Sequence, residues 1–299
     1  MKLGFYYKKI KYRFFSIWQY NWNNGFFIKK NKININEGST CINYSQQCFE
    51  GLKCSFYKKK KKFFKIEKNS FRLQKSCKKL LIPIISIFFL INCILINCYL
   101  NNKYIPHFKK GFLYIRPLVL GIGNNIGVKT SKNFLLIIYN SIFFFERKKK
   151  FIFKSNFNKR IINNLGNYKL GANYIINLHD NYFLKIYNYK DFIYINNEIF
   201  DEIGTANIIF YKKKKIIFKK KKSILPGKNN FYINIVLNKI NFFFLKKNVD
   251  FKNITNLSKI FFSGTAANFF NVNNILFKNK IISYKKKFIY FFLKKILKI

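Results

Sequence analysis

Gly166–Tyr174 reads GNYKLGANY and Asp201–Phe210 reads DEIGTANIIF. In the first stretch Lys169 sits among glycines, with Tyr174 close behind. Residues without bulk let the backbone approach a flat ring, and a tyrosine hydroxyl can hold an oxygen on that ring. In the second stretch Glu202 opens a β-like run, in a chain with only ten acidic residues. An acid at that place is therefore hard to assign to background, whereas the neighbouring Asp201 reads as a surface charge. Around these stretches the pattern alternates between β-like runs, Phe192–Ile195, Ala206–Tyr211 and Ile216–Phe218, and a helical run over Asn230–Phe244 opened by Pro226 and Gly227. Lys212–Lys215, lying between two β-like runs, suits a hairpin turn.

Working upstream, β-like runs are expected at Phe26–Ile35 and Cys54–Phe64, one long helical stretch at Phe71–Leu100, then further strands at Phe112–Leu120 and Phe134–Ile138. The charged stretch Glu146–Lys154 breaks the apolar pattern. The reading is thus a two-domain α/β (α+β) protein: a small N-terminal α/β domain over 1–145, a connection over 146–154, and a larger C-terminal domain over 155–299. Leu80–Leu100 is apolar and long enough to span a bilayer, but Pro83, Ser86, Asn92 and Asn97 favour a buried helix of a globular protein. The glycines of Gly121–Gly127, GIGNNIG, are too widely spaced for a dinucleotide loop and lack a following acid, so this stretch reads as a turn.

The formal charge of +48 would ordinarily point to a polyanionic partner. Here Lys, Asn, Ile, Phe and Tyr are overused together while Ala, Gly, Pro and Arg are scarce, the signature of codons rich in A and T. The runs Lys58–Lys62, Lys148–Lys150, Lys212–Lys215 and Lys219–Lys222 therefore read as solvated turns, with no specific nucleic-acid or membrane partner. The six cysteines form no CxxC pair and the two histidines lie far apart, so no metal site and no disulfide scaffold is expected. Met1–Tyr20 lacks the apolar core and cleavage site of a secretory signal, which makes the cytoplasm the expected compartment.

Six stretches together carry a family resemblance. GNYKLGANY resembles the cofactor-lysine motif of the branched-chain amino acid aminotransferases, with Lys169 in the lysine position. Residues 202–207 resemble the family's E-x-G-x-x-N segment, and 33 positions separate Lys169 from Glu202, a separation similar to that in family members. Downstream, SILPGKN (Ser223–Asn229) and FSGTAAN (Phe262–Asn268) are similar to the family's phosphate and carboxylate loops; upstream, NYSQQCFEGLK (Asn43–Lys53) and YIRPL (Tyr114–Leu118) resemble its substrate-side segments. The likeness runs from about Asn21 to Ile282. It departs from the family pattern at Asn230, which replaces an arginine, at Asn271, which replaces a proline, and around Ser141–Phe145.

The resemblance implies a fold-type IV architecture, the cofactor pyridoxal 5'-phosphate, and transamination between leucine, isoleucine or valine and 2-oxoglutarate, giving glutamate, in a homodimer. Lys169 would be the catalytic lysine. Cofactor contacts would come from Arg72, Lys169, Tyr174, Glu202, Thr205, the amides of Lys228 and Asn229, and Thr265. Substrate contacts would come from Tyr44, Phe49, Tyr114, Arg116, Thr265 and Ala266. A carboxylate at Glu202 would keep a pyridine nitrogen protonated, and the fork of donors on Arg72 would suit a phosphate. A D-amino-acid aminotransferase or an aminodeoxychorismate lyase would share the lysine and the glutamate, but YIRPL and NYSQQCFEGLK favour the branched-chain enzyme. A basic nucleic-acid- or membrane-associated protein without catalysis is the rival outside the class, and it gives no reason for the ordered motifs.

Overall fold

The computed structural model describes residues 7–145, 152–156, 163–186, 191–204, 206–213, 215–219, 225–257, 259–264, 268–277 and 280–284. The chain divides into two compact units, Met1–Arg147 with Tyr168–Ala172 and Lys148–Asn167 with Asn173–Ile299. The short segment carrying Lys169 groups with the first unit.

That unit contains β1 (Arg13–Trp18), β2 (Phe26–Ile28), α1 (Thr40–Asn43), β3 (Gln47–Phe49), β4 (Leu52–Tyr57), β5 (Lys60–Phe63), α2 (Ile66–Lys79), α3 (Ile87–Leu100), β6 (Gly111–Gly121) and β7 (Phe134–Phe144). Its strands form one antiparallel sheet in the order β2-β1-β7-β6-β4-β5, with β3 also on β6. The expected long helix over Phe71–Leu100 is in fact two. Pro83 lacks an N–H and biases the residue before it away from helix, and Leu81 turns left-handed with φ 56. Ser86 restarts the helical run by accepting from Phe89 N. No helix among the described residues is long and apolar enough to cross a membrane. Asn69, Ser70, Arg72, Leu73, Ser76 and Cys77 are the buried residues of α2, spaced at helical intervals, so Arg72 and Ser76 face inward together. Pro117 shapes the other side. Phe49 pairs with Leu118 and Leu52 with Ile115, so the register is continuous, yet the ladder opens at Glu50 and Gly51 opposite a proline that has no N–H to donate.

The second unit holds β8 (Ile152–Asn156), α4 (Ile175–Ile186), β9 (Asp191–Asn196), β10 (Ile199–Ile203), β11 (Asn207–Lys212), β12 (Lys215–Phe218), α5 (Lys228–Lys239), β13 (Phe244–Lys246), β14 (Lys259–Gly264), β15 (Asn268–Asn271), β16 (Asn274–Phe277) and β17 (Lys280–Ser283). Two five-stranded sheets run β10-β9-β8-β16-β17 and β13-β12-β11-β14-β15. Phe200, Phe210, Ile203, Ile208, Ile260 and Ile275 fill a core that draws on both sheets. The lysines behave as turn residues where a hairpin demands it: Lys58 and Lys59 adopt φ 45 and 60 between β4 and β5, and Lys213 adopts φ 44 between β11 and β12. Helix α5 stops at Lys239, short of the expected Phe244, which instead joins β13 beside β12.

Candidate active site

In the first unit, the backbone at Lys169 is laid against β3 as an added strand. Phe49 N donates to Lys169 O at 3.1 Å, Gly171 N donates to Gln47 O at 3.3 Å, and Cys48 bridges Leu170. Gly171 is needed for this approach, since a Cβ there would lie 2.7 Å from Gln47 Nε2. On its other side, Lys169 N donates to Ser76 Oγ at 3.0 Å, and Ser76 Oγ donates to Arg72 O at 3.1 Å. The Lys169 ammonium stands 5.1 Å from the centre of the Phe49 ring, over which the Arg116 guanidinium also stacks at 4.3 Å. Arg116 Nη2 donates to Tyr114 Oη at 2.9 Å. Phe49, Tyr114, Arg116 and Lys169 thus converge, two cations meeting one aromatic ring.

Directly behind Phe49 lies a buried ion pair. Arg72 Nε reaches Glu50 Oε2 at 2.6 Å and Arg72 Nη2 reaches Glu50 Oε1 at 2.7 Å, with side chains 6% and 1% exposed. Burial alone would push the Glu50 carboxyl up, but the charges of Arg72 and Lys169, with the Arg72 and Gly51 hydrogen bonds, hold it below the usual carboxylate range.

In the second unit, Glu202 lies on β10, 3% exposed. Its Oε1 accepts from Asn207 Nδ2 at 2.8 Å, and the same amide donates to Leu225 O at 3.1 Å. Asn207 therefore ties the carboxylate to the loop that opens α5. A cavity of about 170 Å³ is lined here by Glu202, Asn207, Leu225, Pro226 and Gly227, with Asp201 and Lys219 at its wall. The expectation that Asp201 is a surface charge is wrong. The register of β10 against β9 shifts between Phe200 and Ile203, the irregularity that brings consecutive carboxylates to one cavity, and Asp201 is 9% exposed and ion-paired with Lys219. Lys219, at the head of a run read as a solvated turn, is buried with it. Helix α5 begins at Lys228 with Gly227 as N-cap and no side-chain cap, so its first amides point out of the helix end. Ser263 Oγ donates to Asn230 Oδ1, fastening that helix start to the end of β14.

No protein-family model matches the chain. A branched-chain-amino-acid aminotransferase of Helicobacter pylori is 28% identical over 217 residues, 69% of this chain and 64% of that protein. Its counterpart from Haemophilus influenzae is 27% identical over 241 residues, 75% of this chain and 70% of that protein. The match to the first thus spans just under two thirds of that relative. Among solved structures, the branched-chain amino acid aminotransferase of Escherichia coli superposes with TM-score 0.79 at 20% identity, covering 96% of this chain and 92% of that one. That of Thermoproteus uzoniensis, solved with norvaline, gives 0.79 at 16% identity, over 95% and 94%. The chain is similar in sequence to branched-chain-amino-acid aminotransferases and has the fold of the solved ones.

Within this fold-type IV frame, the residues expected from the aminotransferase motifs are distributed as follows. Phe49, Arg72, Tyr114, Arg116 and Lys169 all lie in the first unit's cluster. Tyr44 stands apart, 40% exposed at the end of α1, its hydroxyl donating to the Ile126 carbonyl. Tyr174 ends the short 3-10 turn Ala172–Tyr174 that leads into α4, and Glu202 lies in the second unit. Lys228 and Asn229 supply the first backbone turn of α5. Thr205, Thr265 and Ala266 lie outside the described residues. Two residues of the aminotransferase-like site were not singled out from sequence. Asn207 carried a signal, the last letter of E-x-G-x-x-N; Glu50 lay inside NYSQQCFEGLK, but nothing local pointed to its partner Arg72, 22 residues away.

Proposed function

We propose that this chain transfers amino groups between leucine, isoleucine or valine and 2-oxoglutarate with pyridoxal 5'-phosphate as cofactor, as a homodimer in the cytoplasm without a nucleic-acid or membrane partner. The convergence of Lys169 with Phe49, Tyr114 and Arg116 is the observation that carries this reading. The branched-chain aminotransferase from T.th. solved with N-(5'-phosphopyridoxyl)-L-glutamate, 17% identical with TM-score 0.78 over 96% of this chain and 93% of that one, supports the choice of cofactor. The six cysteines, all buried and unbridged, suit a reducing compartment.

The residues fit the cofactor. A flat ring with a basic nitrogen needs a buried anion, and Glu202 is one, oriented by Asn207. A phosphate needs amides at a helix start, and α5 offers them without a competing side-chain cap. When bound, the cofactor supplies an aldehyde for the lysine and a ring that accepts electrons from the substrate Cα. Lys169 then moves a proton to and from that carbon, its backbone held by Phe49 and Ser76 so that only the side chain must travel. Phe49 offers an apolar wall to a branched side chain, while Arg116 offers a cation to the carboxylate of glutamate.

The test is transamination of leucine with 2-oxoglutarate by the purified protein. Lys169→Ala is expected to lower turnover by at least about 10³-fold, because nucleophile and proton carrier are lost together. Near-normal activity in that variant, or a wild type that neither binds the cofactor nor transaminates, sinks the proposal.

A further inference from the structure

We infer that Glu50 is a positioning residue for a phosphate monoester, acting through Arg72. The inference rests on the reading of Arg72 as a donor to the phosphate of pyridoxal 5'-phosphate, and it assigns a role to the one acid of the first unit that is fully buried beside that arginine.

The carboxylate grips the guanidinium side-on, Oε2 on Nε at 2.6 Å and Oε1 on Nη2 at 2.7 Å. A planar guanidinium bound along that edge has its Nη1 end turned the opposite way, so the clamp decides where the remaining donors point. Glu50 can act as a clamp because it is itself fixed. Its Oε1 accepts from Gly51 N at 2.7 Å, its backbone N donates to Pro117 O at 2.9 Å, and its side chain is 1% exposed. The ladder gap opposite Pro117 is what frees Glu50 and Gly51 for this arrangement. The same stretch of α2 that carries Arg72 also holds the Lys169 backbone, independently of the clamp, through Ser76. Because Glu50 already balances the charge of Arg72, the pair contributes direction more than net charge. A dianion gains from it only if the guanidinium is pre-oriented.

Binding, not turnover, separates this role from a merely structural one. Cofactor-free protein is titrated with pyridoxal 5'-phosphate and, separately, with pyridoxal, which lacks the phosphate. Wild type is expected to prefer the phosphorylated compound. Glu50→Gln is expected to weaken binding of pyridoxal 5'-phosphate about tenfold or more while leaving pyridoxal within about twofold, since only phosphate meets Arg72. In an Arg72→Ala background the same change is expected to shift phosphate-compound affinity by less than about twofold, because the residue through which it acts is gone. Equal weakening of both compounds, no weakening of either, or a full effect without Arg72 overturns the inference. A wild type with no preference for the phosphorylated compound overturns the cofactor reading itself. Should Glu50→Gln fail to fold, Glu50→Asp, which draws the clamp back by one methylene, must show the same selective loss.

Discussion

Gly227 adopts φ −66 and ψ 117, a conformation open to any residue, so its lack of a side chain answers a need for space and not for backbone freedom. A methyl group there would lie 1.7 Å from Asn207 Oδ1 and 2.8 Å from its Cγ. Gly227→Ala therefore expels the Asn207 amide, which gives up its 2.8 Å bond to Glu202 and its 3.1 Å bond to Leu225 O. The first involves a buried carboxylate, worth about 1.5–3 kcal/mol, and the second about 0.5–1.5 kcal/mol, so the expected loss is roughly 2–4 kcal/mol. Asn207→Ala removes the same two bonds without a clash and is expected to cost a similar amount. In the double variant the new methyl meets the space left by the amide, so its stability should match Asn207→Ala alone within about 0.5 kcal/mol. Both tryptophans, Trp18 and Trp22, belong to the first unit, so fluorescence would miss the event. Native-state hydrogen exchange of peptides covering β10 and β11 reads it directly. If Gly227→Ala is as protected as wild type, or if the two single costs simply add in the double variant, the steric argument fails.

Arg116→Met is expected to slow the half-reaction with glutamate about tenfold more than that with leucine, since only the acidic side chain needs a cation; separate stopped-flow measurement of the two half-reactions checks it, and equal slowing would make Arg116 a strand brace. Burial, with a smaller effect from Lys65, lowers the Lys53 ammonium to about 8 from an ordinary 10.5, beneath the Phe64 and Phe112 rings. Between those two values the unfolded chain binds the extra proton, so stability rises with pH there, and Lys53→Met should gain roughly 2–3 kcal/mol at pH 7, an advantage that shrinks by pH 10 in chemical denaturation.

Lys169, Glu202 and the loop before α5 stand out as candidates in the sequence because each sits in a local pattern whose chemistry needs those residue types at short spacing. Strand positions were readable in part: Ala206–Tyr211 and Ile216–Phe218 fall on β11 and β12, whereas Cys54–Phe64 is a hairpin that turns at Lys58 and Lys59, and Phe26–Ile35 is a strand only over Phe26–Ile28. The pairings that tune the site were not. Glu50 and Arg72 are 22 residues apart, and Asp201 and Lys219 are 18 apart. Composition argued that a lysine in a run of lysines faces water; Lys219 is instead buried against Asp201, a carboxylate that also looked like surface. The break in the expected long helix was visible as Pro83 but was outweighed by an apolar run that continues on both sides of it.

Scarcity itself carries information once the contacts are known. In a chain where Lys is the ordinary cation, five arginines remain among 58 basic residues, and three of them lie in the described part. Two of these three, Arg72 and Arg116, do what an ammonium on a flexible stem cannot. Arg13 donates from Nη1 to the carbonyls of Lys29 and Lys30, at 3.0 and 2.7 Å. Arg72 meets both oxygens of one buried carboxylate, and Arg116 lays a flat cation on the Phe49 ring while donating to Tyr114. A planar, delocalised cation with several donors satisfies these demands, and a point charge does not. The same logic applies to Gly171 and Gly227, where a side chain would collide with the amides of Gln47 and Asn207. Compositional drift toward Lys, Asn and Phe is thus tolerated wherever a position asks only for charge, polarity or bulk. It stops where a position asks for a shape, and those positions surround Lys169 and Glu202.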